Sequence, residues 1–150
     1  MPYLTVPSPL GDLTLFEENG QLVALDWGAV DGESETPLLQ AAARQLDAYF
    51  DGRLRQFDLP LAPAGTTFQK RVWSAMQAIP YGQVLRYADV ARMLNSGPRA
   101  VGGACGRNPL PILIPCHRIV GSNGGLGGYS GQDGIESKHF LLNLEQGEPS

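Results

Sequence analysis

Three prolines within seven residues place the tightest constraint on how this chain can fold. They lie in the segment Asn108-Pro-Leu-Pro-Ile-Leu-Ile-Pro-Cys-His-Arg118. A proline ring fixes φ and removes a backbone N–H, so this segment forms neither a regular helix nor a central strand. The apolar run Ile112-Leu113-Ile114 should still be buried. We therefore expect Cys116 to be held on a rigid and irregular backbone inside the protein.

Residues 1–62 are expected to form a small α/β domain. Three short strand-like runs are separated by turns at Gly11 and at Glu18-Asn19-Gly20. A helix should begin at Thr36, which is a good N-cap, with Pro37 in its first turn. Proline and glycine between residues 59 and 65 indicate a linker after this domain.

Residues 63–150 are expected to form a mainly helical second domain. Thr66 and Gln69 have the spacing of a capping box, which predicts a helix start. Two short helices, over 87–94 and 98–107, are joined by a turn that contains glycine, and this arrangement is typical of a helix-turn-helix. A last amphipathic helix is predicted over 135–144.

Charge is distributed unevenly along the chain. The net charge is −4, yet residues 66–118 carry seven Lys or Arg against one Asp, whereas residues 1–65 carry three Arg against ten acidic residues. A basic segment in an acidic protein indicates a surface for a polyanion. A solvated helical face is the alternative.

The predicted helix over 98–107 has an unusually small outer face. It contains three glycines, and each costs up to about 1 kcal/mol relative to alanine. Either another body approaches this backbone closely, or two helices pack tightly. Almost no long polar side chain is present to read base edges, so contact with a sugar-phosphate backbone is the better fit to DNA. The candidate DNA-binding residues are Arg99, Ala100, Gly103 and Arg107.

Cys116 and His117 supply the residue types of an activated thiol nucleophile. Neighbouring side chains in an extended segment point apart, so a water molecule or a local bend would have to connect them. From the residues alone, an inert core thiol remains an alternative. Two Cys and two His offer no zinc-ligand spacing, so we expect no metal and no other cofactor.

The segment Asn108–Arg118 closely resembles the active-site signature of the O6-alkylguanine-DNA alkyltransferases. Four flanking segments resemble the same family in chain order: Tyr81-Gly-Gln-Val-Leu-Arg-Tyr87, Arg99-Ala-Val-Gly-Gly103, Gly128-Tyr-Ser-Gly131 and Phe140-Leu-Leu-Asn-Leu-Glu145. The resemblance implies an N-terminal α/β domain, a small RNase H-like sheet plus helix, followed by a mainly α C-terminal domain with a helix-turn-helix.

The resemblance also implies roles for individual residues. Cys116 would accept the alkyl group, His117 would act as base through a water, and Glu145 would orient His117. Tyr87 would contact the DNA and donate a proton or hydrogen bond to the departing guanine oxygen. Further roles fall to Arg99, which would fill the space of the extruded base, to Asn108, which would brace the turn, and to the pocket residues Pro111, Tyr129 and Ser130.

The implied function is direct-reversal DNA repair. An alkyl group on O6-alkylguanine, with O4-alkylthymine as a second candidate, would move once and irreversibly to Cys116, because nothing in this chemistry cleaves a thioether. The partner would be double-stranded DNA, and we expect a cytoplasmic monomer that does not bind membranes. Arg86 and the lengthened segment 131–134 depart from the family pattern, which affects the expected pocket size.

Three other functions are open to a chain of this pattern. A non-catalytic alkyltransferase-like lesion-binding protein shares the scaffold but lacks the acceptor cysteine, which is present here. A sequence-specific regulator should carry long polar side chains on its recognition helix. A cysteine hydrolase needs an oxyanion hole, and no arrangement for one is recognisable.

Overall fold

The computed structural model describes residues 1–32, 34–121 and 135–147. The chain divides into two compact units, Met1–Ala64 and Gly65–Ser150. None of the helices in the described ranges has both the length and the apolar character that crossing a bilayer requires.

The first unit is a three-stranded antiparallel sheet with one helix. Strands β1 (Tyr3–Val6), β2 (Leu13–Glu18) and β3 (Gln21–Trp27) pair in sequence order. The tight turn between β2 and β3 needs two residues with positive φ, and Asn19 and Gly20 provide φ values of 54° and 76°. The predicted sheet is therefore confirmed.

Helix α1 (Pro37–Phe50) covers this sheet with its apolar face. The Thr36 side chain accepts a hydrogen bond from the Leu39 N–H, and Pro37 opens the helix as predicted. The core of the unit consists of the side chains that alternate inward along the strands and recur at helical spacing, including Leu13, Leu15, Leu25, Leu39, Ala42, Leu46 and Tyr49.

The second unit begins with three helices. Helix α2 (Thr67–Gln77) has the capping box predicted from Thr66 and Gln69. Helices α3 (Tyr87–Met93) and α4 (Pro98–Gly106) pack against each other as the predicted helix-turn-helix pair. The buried indole of Trp73 ties α2 to α4, because its Nε1 donates to the Ala104 carbonyl at 2.9 Å.

A short parallel strand pair links the segment before α3 to the segment after the prolines. Strand β4 (Leu85–Arg86) pairs with β5 (Ile119–Val120), and a 3-10 turn over Cys116–Arg118 leads directly into β5. Sequence patterning did not predict this pair, because two-residue strands carry no periodicity. It joins the start of α3 to the end of the Cys116 turn.

Helix α5 (Ile135–Gln146) completes the second unit. Its buried residues recur at helical spacing and include three polar ones, Ser137, Lys138 and Glu145. The helix packs against the 3-10 turn. Gly147 follows it with a φ of 73°, the left-handed conformation that commonly ends a helix.

Candidate active site

Asn108 holds the proline-rich segment in its folded shape. The Asn108 Oδ1 accepts from the Leu110 N–H at 2.9 Å, and its Nδ2 donates to the Ile114 carbonyl at 2.9 Å. Isolated bridging between Pro111 and Ile114 closes the turn. Ile112 sits inside it at a φ of 74°, a strained conformation for a β-branched residue, and is almost completely buried.

The same asparagine reaches the sulfur at the end of the segment. Asn108 Nδ2 lies 3.3 Å from Cys116 Sγ, within range for an N–H donor to sulfur. Cys116 is 3% exposed, so the thiol is enclosed by protein. The backbone bends into a 3-10 turn at Cys116, so Cys116 and His117 do not lie in an extended segment.

His117 is completely buried and bound to a carboxylate. Its Nε2 lies 2.6 Å from Glu145 Oε2. Because a carboxylate only accepts, we assign the proton of a neutral ring to Nε2, which leaves a lone pair on Nδ1. Nδ1 is buried and has no hydrogen-bond partner among the described residues.

Glu145 is held from its other side by Arg118. The Arg118 Nε donates to Oε1 at 2.8 Å, and Nη2 donates to Oε2 at 3.0 Å. The remaining Nη1 donates to the Ile79 carbonyl at 2.7 Å. This fork fits a carboxylate at two points, so it fixes the oxygen that His117 contacts.

Burial sets the charge of the imidazole. Removal from water lowers the pKa of His117 below its usual value of 6.5; Glu145 opposes this shift, and the positive charges of Arg118 and Lys138 reinforce it. The ring is therefore neutral at physiological pH. A neutral imidazole bound to a carboxylate can accept a proton, as in the serine-hydrolase triad.

Tyr87 occupies the first position of α3, beside this cluster. Burial, together with the charges that Cys105 and Cys116 can carry, raises the pKa of Tyr87 to about 12. The phenol therefore keeps its proton at neutral pH and can act as a hydrogen-bond donor. The β4–β5 pairing places the residue before it alongside Val120.

The outer face of α4 is exposed, as expected for a contact surface. Arg99, Ala100, Gly103 and Arg107 are all exposed. A Cβ atom at Gly103 or Gly106 would meet nothing within 4 Å, so tight helix packing does not explain these two glycines. A Cβ at Gly102 would lie 3.9 Å from the Tyr87 ring. The small face thus leaves room for a body outside the protein and adjoins the tyrosine.

Only one of the three expected pocket residues lies within the described part of the chain. Pro111 is buried in the turn. Tyr129 and Ser130 lie outside the described residues. Where the structure describes the chain, no three His, Cys, Asp or Glu side chains come close enough together to hold a metal ion.

Sequence reasoning missed two buried cations. Arg118 entered only as the last residue of the signature, and Lys138 was assigned no role, yet both are buried. Cys105 is buried in the core, and burial raises its pKa to about 12, so this thiol keeps its proton. Helical spacing could have identified Lys138, because it shares a face with the buried Leu141 and Glu145.

These observations define a class of protein. It has a buried cysteine followed by a histidine that binds a carboxylate, and it carries them on a helix-turn-helix unit whose second helix exposes a face of small residues. Two family models cover the chain, "6-O-methylguanine DNA methyltransferase, ribonuclease-like domain" over residues 1–63 and "6-O-methylguanine DNA methyltransferase, DNA binding domain" over residues 67–147. The chain therefore belongs to the 6-O-methylguanine DNA methyltransferase family.

Individual relatives are similar to this chain along almost its whole length. A constitutive methylated-DNA–protein-cysteine methyltransferase of Bacillus subtilis is 44% identical, with 96% of this chain and 94% of the relative covered. The structure of the Mycobacterium tuberculosis protein OGT in complex with DNA is 41% identical with a TM-score of 0.88, covering 99% of this chain and 95% of that one. An O6-methylguanine DNA methyltransferase from Methanococcus jannaschii has a TM-score of 0.72 at 31% identity, covering 98% and 95%.

Proposed function

We propose that this protein repairs double-stranded DNA by moving the alkyl group of O6-alkylguanine onto the sulfur of Cys116, once per protein molecule. The observation that carries the proposal is the buried Cys116 thiol in a turn whose next residue, His117, is a neutral base bound to Glu145. Family membership supports the same reaction, since the relatives are named for methylated DNA and a protein cysteine.

The transfer is a displacement at carbon. The bond between sulfur and the alkyl carbon forms as the bond between that carbon and O6 breaks, and the electron pair of the broken bond stays on O6. The thiol proton passes through a water molecule to His117 Nδ1, the nitrogen opposite the Glu145 contact. Tyr87 donates a hydrogen bond or its proton to the guanine oxygen as charge develops there. The guanine anion takes up one proton in total, and the proton accepted by His117 replaces it, either through solvent or by restoring Tyr87, so the products are an unmodified guanine, a thioether and a neutral His117.

The substrate base must leave the duplex to reach an enclosed sulfur. The exposed small face of α4 suits close approach to the DNA backbone, and Arg99 at its start would occupy the space that the base vacates. Arg107 at the other end would contact phosphate. Pro111, Tyr129 and Ser130 would line the pocket that receives the base, and O4-alkylthymine is a second candidate substrate.

The compartment follows from the thiol chemistry. Both cysteines of the chain, Cys105 and Cys116, are free thiols. A protein that depends on a reduced acceptor fits a reducing compartment, so we propose the cytoplasm as its location.

Intact-protein mass spectrometry tests the proposal. The protein is incubated with a duplex that contains one O6-methylguanine, beside Cys116→Ala and the matched thiol control Cys105→Ala. We expect one added methyl group on the wild type and on Cys105→Ala, mapped to Cys116, and none on Cys116→Ala. An unmodified wild-type protein that still binds the damaged duplex would instead establish the lesion-binding alternative.

A further inference from the structure

Arg118 is the outermost member of the hydrogen-bonded series that begins at His117. The side chains of His117 and Glu145 have no solvent exposure, whereas the side chain of Arg118 keeps 9% of its surface exposed. Whatever holds the guanidinium from outside can therefore act on the imidazole through the carboxylate. Residues 79–82, which we call the 79–82 turn, provide such contacts.

Three contacts join the 79–82 turn to the outer end of this series. The Ile79 carbonyl accepts a hydrogen bond from Arg118 Nη1 at 2.7 Å. The centroid of the Tyr81 ring lies 5.8 Å from Arg118 Cζ, within the range of a cation–π contact. The Tyr81 hydroxyl donates to the Leu144 carbonyl at 3.4 Å, one residue before the carboxylate on α5. One side chain thus contacts both the guanidinium and the helix that carries the carboxylate.

The backbone of the turn also lies close to α5. Gly82 has a φ of 82°, a conformation that L side chains rarely adopt, and a Cβ atom there would lie only 3.2 Å from the Glu145 carbonyl oxygen. Farther along the same segment, β4 pairs with β5, which begins directly after Arg118. The segment that contains Tyr81 is therefore fixed on both sides of the Arg118–Glu145 pair.

The ring of Tyr81 contributes more to this arrangement than its hydroxyl group. A separation of 3.4 Å is long for an O–H···O hydrogen bond, so the contact with Leu144 is weak. The attraction between an aromatic face and a guanidinium is stronger where water is excluded, and Arg118 is buried. We propose that Tyr81 is a positioning residue: its ring holds the Arg118 fork on Glu145, keeps water from the pair, and so maintains the contact between Glu145 and His117.

This inference deepens the proposed function and rests on it for the role of His117 as the base. The 3-10 turn packs against α5 and α2. Helix α5 contributes two charged groups that act on the imidazole, Glu145 and Lys138, and the turn itself contributes Arg118. None of the buried residues of α2 is charged.

Loss of the Tyr81 ring should raise the pKa of His117. Burial is the largest cause of the low pKa of this imidazole, and the charges of Arg118 and Lys138 add to it, against the opposing effect of Glu145. Without the ring, water reaches the pair and the guanidinium is held less firmly, so the two largest effects of the site on the imidazolium weaken together. The neutral base is then lost at a higher pH as the solution is acidified.

Nuclear magnetic resonance of the imidazole nitrogens tests the proposal without DNA. The chain has two histidines, His117 and His139, so protein labelled with 15N in the histidine rings gives two sets of signals that His139→Gln assigns. In Tyr81→Ala, we expect the His117 Nε2 proton to exchange faster with water than in the wild type. The titration midpoint of His117 should also move to higher pH by about half a unit or more. If either quantity keeps its wild-type value in a folded Tyr81→Ala, the inference is wrong.

Two matched variants separate the effect of the ring from general loosening of the turn. Tyr81→Phe keeps the ring over the guanidinium and loses only the long hydroxyl contact, so both quantities should stay near those of the wild type. Gln83→Ala changes an exposed side chain of the same segment and should also leave both unchanged. A change as large as that of Tyr81→Ala in either variant overturns the assignment to the ring.

Tyr81→Leu covers the case in which Tyr81→Ala fails to fold. Leucine fills much of the same volume but offers no aromatic face to the guanidinium, so we expect changes in the same directions. Wild-type behaviour of a folded Tyr81→Leu overturns the role of the ring. None of these readings needs alkyl transfer, so failure of the proposed function would appear separately in the mass measurement.

Discussion

Arg118 links the acid–base behaviour of the site to its stability. Its guanidinium makes two bonds to Glu145 and one to the Ile79 carbonyl, so three of its donors are used in a buried place. Its charge also lowers the pKa of His117. A single side chain thus fixes the carboxylate and adds to burial, the larger cause, in keeping the imidazole neutral.

Replacing Arg118 by glutamine should shift the pH dependence of repair. With the cation gone, Glu145 favours the imidazolium, so the pKa of His117 rises and the neutral base is lost at a higher pH as the solution is acidified. Single-turnover rates across the acid range should therefore fall at higher pH in Arg118→Gln than in the wild type.

Arg118→Lys is the matched control. It keeps the charge, so the acid limb should stay near that of the wild type, while the loss of the fork costs stability. Breaking a buried pair by removing one partner costs about 3–5 kcal/mol, so Arg118→Gln should show the larger loss in urea unfolding. An acid limb that does not move in Arg118→Gln would mean that Arg118 has only a structural role.

At the scale of single residues, the sequence indicated which side chains belong to the site but not all of the contacts between them. Cys116, His117 and Glu145 were identified through the family pattern, and the structure brings His117 and Glu145 into contact. The sequence did not single out Arg118 and Lys138, because what sets them apart is their burial. A sequence predicts burial only statistically. The contact between Arg118 and Glu145 spans 27 positions, so no local pattern reports it.

Helix α4 is unusual because its outer face lacks large side chains. Gly103 and Gly106 open onto empty space, and Gly102 faces the Tyr87 ring at ordinary contact distance. No side chain within the described part of the unit requires glycine at the two open positions. Helix propensity alone would favour alanine at both.

Gly103→Ala should therefore separate stability from function. The variant should be more stable by up to about 1 kcal/mol, because alanine is the better helix former and the added methyl meets no neighbour. Repair of a methylated duplex should nevertheless slow, because the methyl group intrudes on the DNA surface. The measurements are urea unfolding and single-turnover rates.

The free alkylated base serves as the comparison substrate for this variant, since it reaches the pocket without the duplex. Its reaction rate should match that of the wild type. If duplex repair proceeds at the wild-type rate in Gly103→Ala, the outer face of α4 does not approach DNA closely.

Elements were predicted well where periodicity or capping chemistry was strong. Thr36 and Thr66 both cap the helices that were expected to start there. The β4–β5 pair and the 3-10 turn escaped prediction, because each is too short to show a period and depends on a partner distant in sequence. The prolines excluded regular structure in that segment but did not specify the turn that replaced it.

For the whole molecule, charge is divided between the two units. The second contains the seven Lys or Arg of residues 66–118, and the first contains most of the acidic residues. DNA binding should therefore depend on ionic strength through the second unit, with little preference among undamaged sequences.

Arg107→Gln should lower the slope of log affinity against log salt by about one, the change expected for one lost phosphate contact. Arg107 is exposed, so the change should leave stability nearly unaltered. Arg44→Gln, an exposed arginine of the first unit, is the matched control and should keep the wild-type slope. Equal slopes for all three proteins would place the phosphate contacts elsewhere.

The order of the site residues along the chain has a consequence for biosynthesis. A ribosome makes Cys116 before α5, so an emerging chain carries the sulfur without the helix that packs against the 3-10 turn. The thiol is then an ordinary cysteine, and it gains its special environment only when the last helix docks. If each molecule transfers one alkyl group only, as proposed, its acceptor thiol becomes activated only after folding is complete.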